Sequence, residues 1–243
     1  MNFTSQKKSA LDAIQERSFM SHADGRSVPV HAWFPVCDVP RPLVLVGHGG
    51  SGHKRSKSVL DIAERLARNA KFVVAAIDGP LHGERRGDGA EPAVVRDEFR
   101  ALWERGGSVE GVVNDWRAAL DDLCAFEQVD ASAVGYYGLS MGTAYGLPLL
   151  AAESRIRAAV IGMWGTSRVN SERLLADAQQ LKSPSLFIMQ WDDPLFSREG
   201  QLGLFDKLAS VDKQLRIYPG GHIEPDAEKL DDIAQFLVRR LDA

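Results

Sequence analysis

Short apolar runs that alternate with segments of helical periodicity occupy most of the chain. Such an alternation is typical of a mostly parallel β-sheet covered by helices on both faces. The runs are continuously apolar, as expected of strands that are buried on both faces. We therefore predict an α/β fold with strands at residues 43–47, 72–78, 133–138, 158–163, 185–190 and 214–218, and helices at residues 58–69, 112–127, 172–180, 199–209 and 226–241 and directly after Ser140.

The chain ahead of these strands carries a hairpin signal. Residues 17–22 and 28–34 flank the pair Asp24-Gly25, and an Asp-Gly pair strongly favours a two-residue β-turn. The sheet should therefore begin with an antiparallel N-terminal hairpin.

One segment, residues 83–115, is long for a connection in an alternating chain. It opens with charged residues and glycines and contains a helical pattern at residues 92–103. We interpret it as a small cap-like insertion after the second parallel strand, lying over the active-site edge of the sheet. The whole chain, residues 1–243, is interpreted as one domain. Pro148 falls within the helix after Ser140 and should kink it.

Composition argues against several partners. The formal net charge is -4 and the 29 basic residues are scattered, so nucleic acid is not expected. Apolar stretches such as residues 147–152 are too short to span a membrane, and no apolar run follows Lys7 and Lys8 to form a signal peptide. We expect a cytoplasmic protein, with Cys37 and Cys124 as reduced thiols that lack metal-ligand spacing.

The most specific motif is Gly138-Leu139-Ser140-Met141-Gly142, which directly follows a predicted strand and precedes a predicted helix. A serine on such a tight turn projects its hydroxyl into the cleft, and the flanking glycines relieve crowding. Ser140 is therefore a candidate nucleophile. The alternative is a serine that only caps the helix, since serine is a favoured cap.

A serine hydroxyl needs a base, and the base needs a carboxylate that holds its tautomer. His222 follows the last predicted strand on a loop with Gly220 and Gly221. The alternative is an exposed loop histidine with no catalytic role. Two carboxylates, Asp192 and Asp193, close the preceding strand. The order Ser, Asp, His along the chain is the one that a nucleophile on a strand–turn–helix motif requires.

Backbone N–H groups must also meet the oxyanion that forms on attack. The Met141 N–H at the helix start is one natural donor. The second should come from the glycine-rich loop at residues 47–52, with Gly50 preferred and Ser51 next. A phosphate-binding loop is the alternative, but the Gly-Lys-Ser ending and the dinucleotide fingerprint are both missing.

Taken together, His48-Gly49-Gly50, the run from Asp78 to Gly83, the motif around Ser140 and the two loops with Asp193 and His222 resemble the α/β-hydrolase superfamily. Within it, the chain is similar to the small dienelactone-hydrolase-like and esterase branch, over nearly its whole length. The resemblance implies a Ser-His-Asp hydrolase that cleaves carboxylic esters through an acyl-enzyme, without metal or organic cofactor. It also favours Asp193 over Asp192. Dienelactone hydrolases are expected to use cysteine where this chain has Ser140, so their particular substrate is not implied.

Residues near the cleft supply candidates for substrate binding, namely His82, Trp164 and Trp191. Ordinary packing is the alternative for each aromatic. Arg85 or Arg86 could also reach substrate, or could instead be solvated or paired with the neighbouring acids Glu84 and Asp88.

The expected partner is a small-molecule ester, and a homo-oligomer is left open. An acyltransferase, a perhydrolase or a small peptidase or amidase would use the same three side chains. A non-catalytic ligand-binding relative is the alternative from another class, although it would have no physical need for all three.

Overall fold

The computed structural model describes residues 3–8, as a strand only, and residues 14–242. They form a nine-stranded sheet in the order β1-β2-β3-β5-β4-β6-β7-β8-β9. The strands are β1 Phe3–Lys8, β2 Ile14–Ala23, β3 Arg26–Pro35, β4 Arg41–Gly47, β5 Val73–Ile77, β6 Val129–Leu139, β7 Ile156–Gly162, β8 Ser185–Gln190 and β9 Lys213–Tyr218. β1, β2, β3 and β5 pair antiparallel in turn. All pairings from β5 through β4 to β9 are parallel.

Helices cover both faces of the sheet. They are α1 Lys57–Glu64, extended by a π-helical turn Arg65–Asn69, α2 Pro92–Arg105, α3 Val109–Cys124, α4 Met141–Ala152, α5 Glu172–Ala178, α6 Arg198–Lys207 and α7 Ala227–Leu241. Successive residues of β4 point to opposite faces: Leu43 and Leu45 join the core beneath α3 and α4, whereas Val44 and Val46 join the core beneath α1 and α7. This double burial explains why the strands are continuously apolar in sequence.

The predicted α/β architecture and its antiparallel start are confirmed. β2 and β3 are joined by Asp24 and Gly25, both at positive φ (49° and 75°), as a type I′ turn requires. Several bounds differ from the prediction by a few residues, most of all those of β6 and α3. β6 begins at Val129 rather than residue 133, because the exposed Ala131 and Ser132 interrupt the apolar pattern, and the helix predicted at residues 112–127 spans Val109–Cys124. The edge strand β1 was not predicted.

Within residues 83–115 the chain forms a short 3₁₀ turn, Gly83–Arg85, then α2 and the first turns of α3. The last part of this segment is therefore a structural helix packed against β2 rather than a surface cover. Pro148 lies inside α4, where it is buried. No helix within the described residues is both long and apolar enough to cross a membrane.

Asp115 ties the start of α3 to two other parts of the chain. Its buried carboxylate accepts hydrogen bonds from Arg26 on β3 (3.0 Å) and from Arg85 beyond β5 (2.7 Å). Two nitrogens of Arg85, Nε and Nη2, are buried with no partner among the described residues. Asp115 is thus the main counter-charge of the mostly buried Arg85 guanidinium.

Asp115→Asn should destabilise the fold by about 3–5 kcal/mol, because it leaves the Arg85 guanidinium buried without its counter-charge. Urea unfolding followed by circular dichroism would measure this as a lower midpoint. Asp97→Asn is the matched control, since Asp97 is exposed and its ion pairs lie on the surface, where such pairs contribute little. Equal midpoints for the two variants would contradict the role given to Asp115.

Candidate active site

Ser140 lies on the sharp turn between β6 and α4. Its backbone adopts φ 57° and ψ −119°, a conformation that costs a non-glycine residue free energy. The Ser140 N–H donates to the Gly162 carbonyl (3.0 Å). A β-carbon placed on Gly142 would approach the Gly47 carbonyl oxygen to 2.9 Å, so the glycine there lets the turn pack against β4. The turn presents the Ser140 hydroxyl at the carboxyl edge of the sheet.

His222 and Asp193 reach Ser140 from the loops after β9 and β8. His222 Nε2 lies 2.9 Å from Ser140 Oγ, and His222 Nδ1 lies 2.8 Å from Asp193 Oδ2. The second oxygen of Asp193 accepts from the backbone N–H groups of Leu195 (2.8 Å) and Phe196 (3.2 Å). These bonds fix the carboxylate, so the structure brings the three predicted residues into one hydrogen-bonded chain.

Asp192, the competing carboxylate, points elsewhere. Its side chain is 60% exposed and forms an ion pair with Arg198 at the protein surface. The Asp193 side chain is fully buried beneath His222. The geometry therefore favours Asp193 as the partner of the imidazole.

The glycine-rich loop after β4 lies opposite Ser140 across a cavity of about 420 Å³ that Gly49, Gly50 and Ser51 help to line. Within residues 14–242, no protein acceptor is recorded for the backbone N–H groups of Gly50, Ser51 or Met141. A β-carbon on Gly50 would lie 2.9 Å from the Phe99 ring. Glycine is needed there because α2 packs so close to the loop.

The rest of the cavity has an apolar wall and a positive rim. The wall consists of Phe99, Met163, Trp164, Leu195 and Phe196, and the rim carries Arg96, Arg100 and Arg168. Within residues 14–242 these arginines make only long surface contacts: Arg96 and Arg100 lie 3.4 and 3.3 Å from Asp97, and Arg168 lies 3.5 Å from Glu104. Glu224 also lines the cavity, and desolvation raises the pKa of its carboxyl from the ordinary value.

Among the three predicted substrate-binding residues, Trp164 lines the cavity. The predictions for Trp191 and His82 do not agree with their positions. Trp191 is 44% exposed and stacks on Arg198, with 4.1 Å from the guanidinium to the ring centre. His82 is fully buried behind the loop that carries Gly50. Neither side chain lines the cavity.

Arg85 and Arg86 do not line the cavity either. Arg85 binds Asp115, and Arg86 pairs with Asp88 and Glu98. Of the three arginines that do line it, all of which were missed, Arg96 and Arg100 lie on α2. Together with Phe99 they occupy positions i, i+3 and i+4 of a helix that was predicted, a spacing that places them on one face. That signal was present in the sequence, whereas Arg168 and Phe196 lie on irregular loops and gave none.

Behind the glycine-rich loop lies a set of buried polar groups. The Lys54 ammonium lies 2.6 Å from an Asp78 carboxylate oxygen. Burial acts to raise the pKa of Asp78, but hydrogen bonds from the Lys54 side chain and backbone outweigh it and lower the value. His48 accepts from the Gly79 N–H (2.9 Å), and burial lowers its pKa to about 3. His48 is therefore neutral, with its proton on Nδ1 beside the Gly49 carbonyl.

Within the described part of the chain, no group of three His, Cys, Asp or Glu side chains is arranged to hold a metal ion. Cys37 and Cys124 are both free thiols.

A mostly parallel sheet with an antiparallel start, whose central strand turns sharply at a serine into a helix, is the α/β-hydrolase fold. Residues 31–223 match the dienelactone hydrolase family. The chain belongs to that family, and it is an esterase-like hydrolase.

Solved structures agree with this assignment. The chain is similar to a cold-adapted esterase from an Arctic intertidal metagenomic library, solved with bound PEG, with 37% identity over 99% of this chain and 100% of that chain and a TM-score of 0.87. A dienelactone hydrolase-like promiscuous phosphotriesterase from metagenomic libraries shares the fold at 21% identity, over 94% of this chain and 99% of that one, with a TM-score of 0.75. The acetyl xylan esterase from Paenibacillus sp. R4 does so at 18% identity, over 99% and 88%, with a TM-score of 0.76. A search of curated proteins gave no match.

Proposed function

We propose that the protein is a serine esterase that cleaves small carboxylic esters through an acyl-enzyme. Ser140 is the nucleophile, His222 the base and Asp193 the acid that orients it. The observation that carries the proposal is the chain of hydrogen bonds from Asp193 through His222 to Ser140 Oγ (2.8 and 2.9 Å), which opens into the cavity. The similar cold-adapted esterase supports an ester as the substrate.

In the first half of the reaction, Ser140 Oγ attacks the carbonyl carbon while His222 Nε2 takes the hydroxyl proton. The negative charge that develops on the carbonyl oxygen is met by the backbone N–H groups of Met141 and Gly50, our proposed oxyanion hole. Asp193 stabilises the imidazolium that forms. His222 then gives its proton to the leaving alkoxide, and the C–O bond of the ester breaks, leaving the acyl group on Ser140.

In the second half, a water molecule attacks the acyl carbon and His222 takes its proton. The tetrahedral intermediate collapses, Ser140 Oγ leaves with the proton from His222, and the carboxylic acid is released. A different acceptor in place of water would make the protein an acyltransferase or perhydrolase, and an amide in place of the ester a peptidase or amidase. Cytoplasmic location stays a prediction of the sequence.

Residues 83–115 should set substrate preference, because α2 contributes Arg96, Phe99 and Arg100 to the cavity. Removal of the entire segment would also delete Asp115 and the start of α3, so the test must be confined to one face of α2. The two arginines suit this purpose because both are partly exposed and, among the described residues, pair only with Asp97 at the surface.

The double variant Arg96→Ala, Arg100→Ala should lower kcat/KM for an ester with a carboxylate on its acyl chain, relative to a neutral ester of equal length, by on the order of tenfold. The kcat/KM for a positively charged ester should rise relative to that for the neutral ester. The measurement is a p-nitrophenyl ester series run at low and high salt. Arg105→Ala, on the same helix but outside the cavity lining, is the control. An unchanged ranking of the esters would mean that α2 does not select substrate by charge.

A further inference from the structure

The loop that we propose as half of the oxyanion hole is a tight turn. The Gly52 N–H donates to the Gly49 carbonyl (3.0 Å), so the peptide between Gly50 and Ser51 is the central peptide of that turn. A hydrogen bond across a turn fixes its ends more firmly than its centre. The central peptide carries the Gly50 carbonyl and the Ser51 N–H, so its plane decides where the Ser51 N–H points and restrains the adjoining peptide that carries the Gly50 N–H.

The loop after β5 contacts this turn on its buried side. Asp78 accepts from the Lys54 backbone N–H (2.9 Å) and the Lys54 ammonium (2.6 Å), and the Gly79 N–H donates to His48 (2.9 Å). These contacts hold the residues before and after the turn. His82 reaches its centre: its Nε2 lies 3.0 Å from the Gly50 carbonyl oxygen. Within residues 14–242 no other side chain bonds that carbonyl.

His82 is well placed for this contact. It is fully buried, its ring packs against the rings of His48 (4.8 Å between centres) and Phe99 (6.2 Å), and its backbone N–H donates to Gly79 (3.1 Å). His82 lies in the run from Asp78 to Gly83, yet its side chain does not line the cavity. The His82 ring therefore contacts the loop and not the substrate.

We propose that His82 is a positioning residue of the oxyanion hole, which holds the central peptide of the turn through Nε2–H donation to the Gly50 carbonyl. In a planar trans peptide, C=O and N–H point in opposite directions. A carbonyl drawn inward to His82 therefore turns the Ser51 N–H outward, and it fixes ψ of Gly50, which restrains the adjoining Gly49–Gly50 peptide that carries the Gly50 N–H. The inference rests on the proposed function, because the loop must receive an oxyanion.

Both ring nitrogens of His82 face carbonyl oxygens, since Nδ1 lies 2.6 Å from the Pro80 oxygen. A neutral imidazole carries one N–H, whereas the imidazolium carries two. The bond to Gly50 therefore exists in two states of the ring, the Nε2–H tautomer and the imidazolium. Burial lowers the pKa of His82, opposed by the two carbonyls and by Asp78, while the Arg86 charge lowers it further. The Nδ1–H tautomer is the state that cannot hold the turn.

Two amide substitutions separate the two contacts of the ring. A glutamine amide reaches approximately as far as Nε2, and an asparagine amide approximately as far as Nδ1. His82→Gln should therefore keep a donor for Gly50, while His82→Asn should keep only one for Pro80. We expect kcat of His82→Asn to fall by about tenfold or more with little change in KM, and that of His82→Gln to recover most of the loss. Deleting an oxyanion donor itself costs on the order of 10²–10³.

A transition-state analogue adds a readout that a merely structural role would not move. The Ki of a trifluoromethyl ketone, whose Ser140 adduct places an oxyanion in the hole, should rise in His82→Asn by the same factor as kcat/KM falls. Equal activity and equal Ki in the two variants would show that the turn needs no help from His82, and the proposal would be overturned. A rise in KM without a fall in kcat in His82→Asn would overturn it as well.

The parent protein offers a test that needs no variant to fold. In ¹⁵N spectra of histidine-labelled protein at the pH of the activity assay, Nε2 of His82 should be protonated. An Nδ1–H tautomer would refute the proposal. Failure of the proposed function is distinguished separately: a parent protein that a fluorophosphonate does not label on Ser140 is not the serine esterase proposed above, whatever the state of the His82 ring.

Discussion

Ser140→Ala should lower kcat toward p-nitrophenyl esters by about 10⁶, the scale seen when the nucleophile of a serine hydrolase is removed. The hydroxyl is the atom that bonds to the acyl group, and within the described residues no other hydroxyl is recorded as bonding His222 Nε2. The measurement is steady-state hydrolysis with graded chain lengths, beside labelling of the parent with a fluorophosphonate. Mass spectrometry should find one labelled residue, Ser140.

Ser140→Ala should leave the fold intact, because alanine meets the same backbone strain at φ 57° that serine does. An unchanged urea midpoint is the control that separates lost chemistry from lost structure. Label on another serine would refute the choice of nucleophile. Hydrolysis at the same rate in parent and variant would mean that no acyl-enzyme forms on Ser140, which would contradict the proposed function.

Asp193→Asn should lower kcat by on the order of 10⁴. The carboxylate accepts from His222 Nδ1 at 2.8 Å, and it thereby leaves the Nε2 lone pair free to take the Ser140 proton. An asparagine amide can donate to Nδ1 instead, which favours the opposite tautomer and puts the ring proton on the nitrogen that should act as the base. The three side chains would keep their positions, while His222 could no longer accept the Ser140 proton.

Asp192→Asn is the matched control for this experiment. It makes the same chemical change one residue away, at an exposed carboxylate that pairs with Arg198, so kcat should change by less than about twofold. Similar losses in both variants would show that the two carboxylates substitute for each other or that neither orients the imidazole. Retained phosphonate labelling in a slow Asp193→Asn protein would add that Ser140 is still correctly placed.

Much of the sheet and of the site follows from patterns that are local in sequence. The central strands are apolar on both faces, and the turn at Asp24-Gly25 needs positive φ, so each could be predicted from a few adjacent residues. The same holds for Ser140, because the strand, the glycines and the helix that create its turn are contiguous. β1 could not be predicted in this way, since five of its six residues are polar and its strand character comes from pairing with β2.

Side-chain direction was the harder part. Asp192 and Asp193 are adjacent on one turn, and only the tertiary contacts with His222 and with the Leu195 and Phe196 N–H groups distinguish them. Trp191 presents the same difficulty. A residue that follows a strand beside the cleft can face outward, and the Trp191 ring stacks on Arg198 instead of lining the cavity. Proximity in sequence to the edge of a sheet does not determine which side of that edge a side chain takes.

β9 occupies the end of the sheet and pairs with β8 alone within the described residues. Most of its side chains are only partly buried, whereas β6, which leads to Ser140, is flanked by strands on both sides. Margins of a sheet open more readily than its interior. The proposed base is thus attached to a less stable part of the sheet than the nucleophile. Local separation of β9 from β8 would displace His222 and abolish activity while the rest of the fold stays intact. Activity would return when β9 pairs with β8 again.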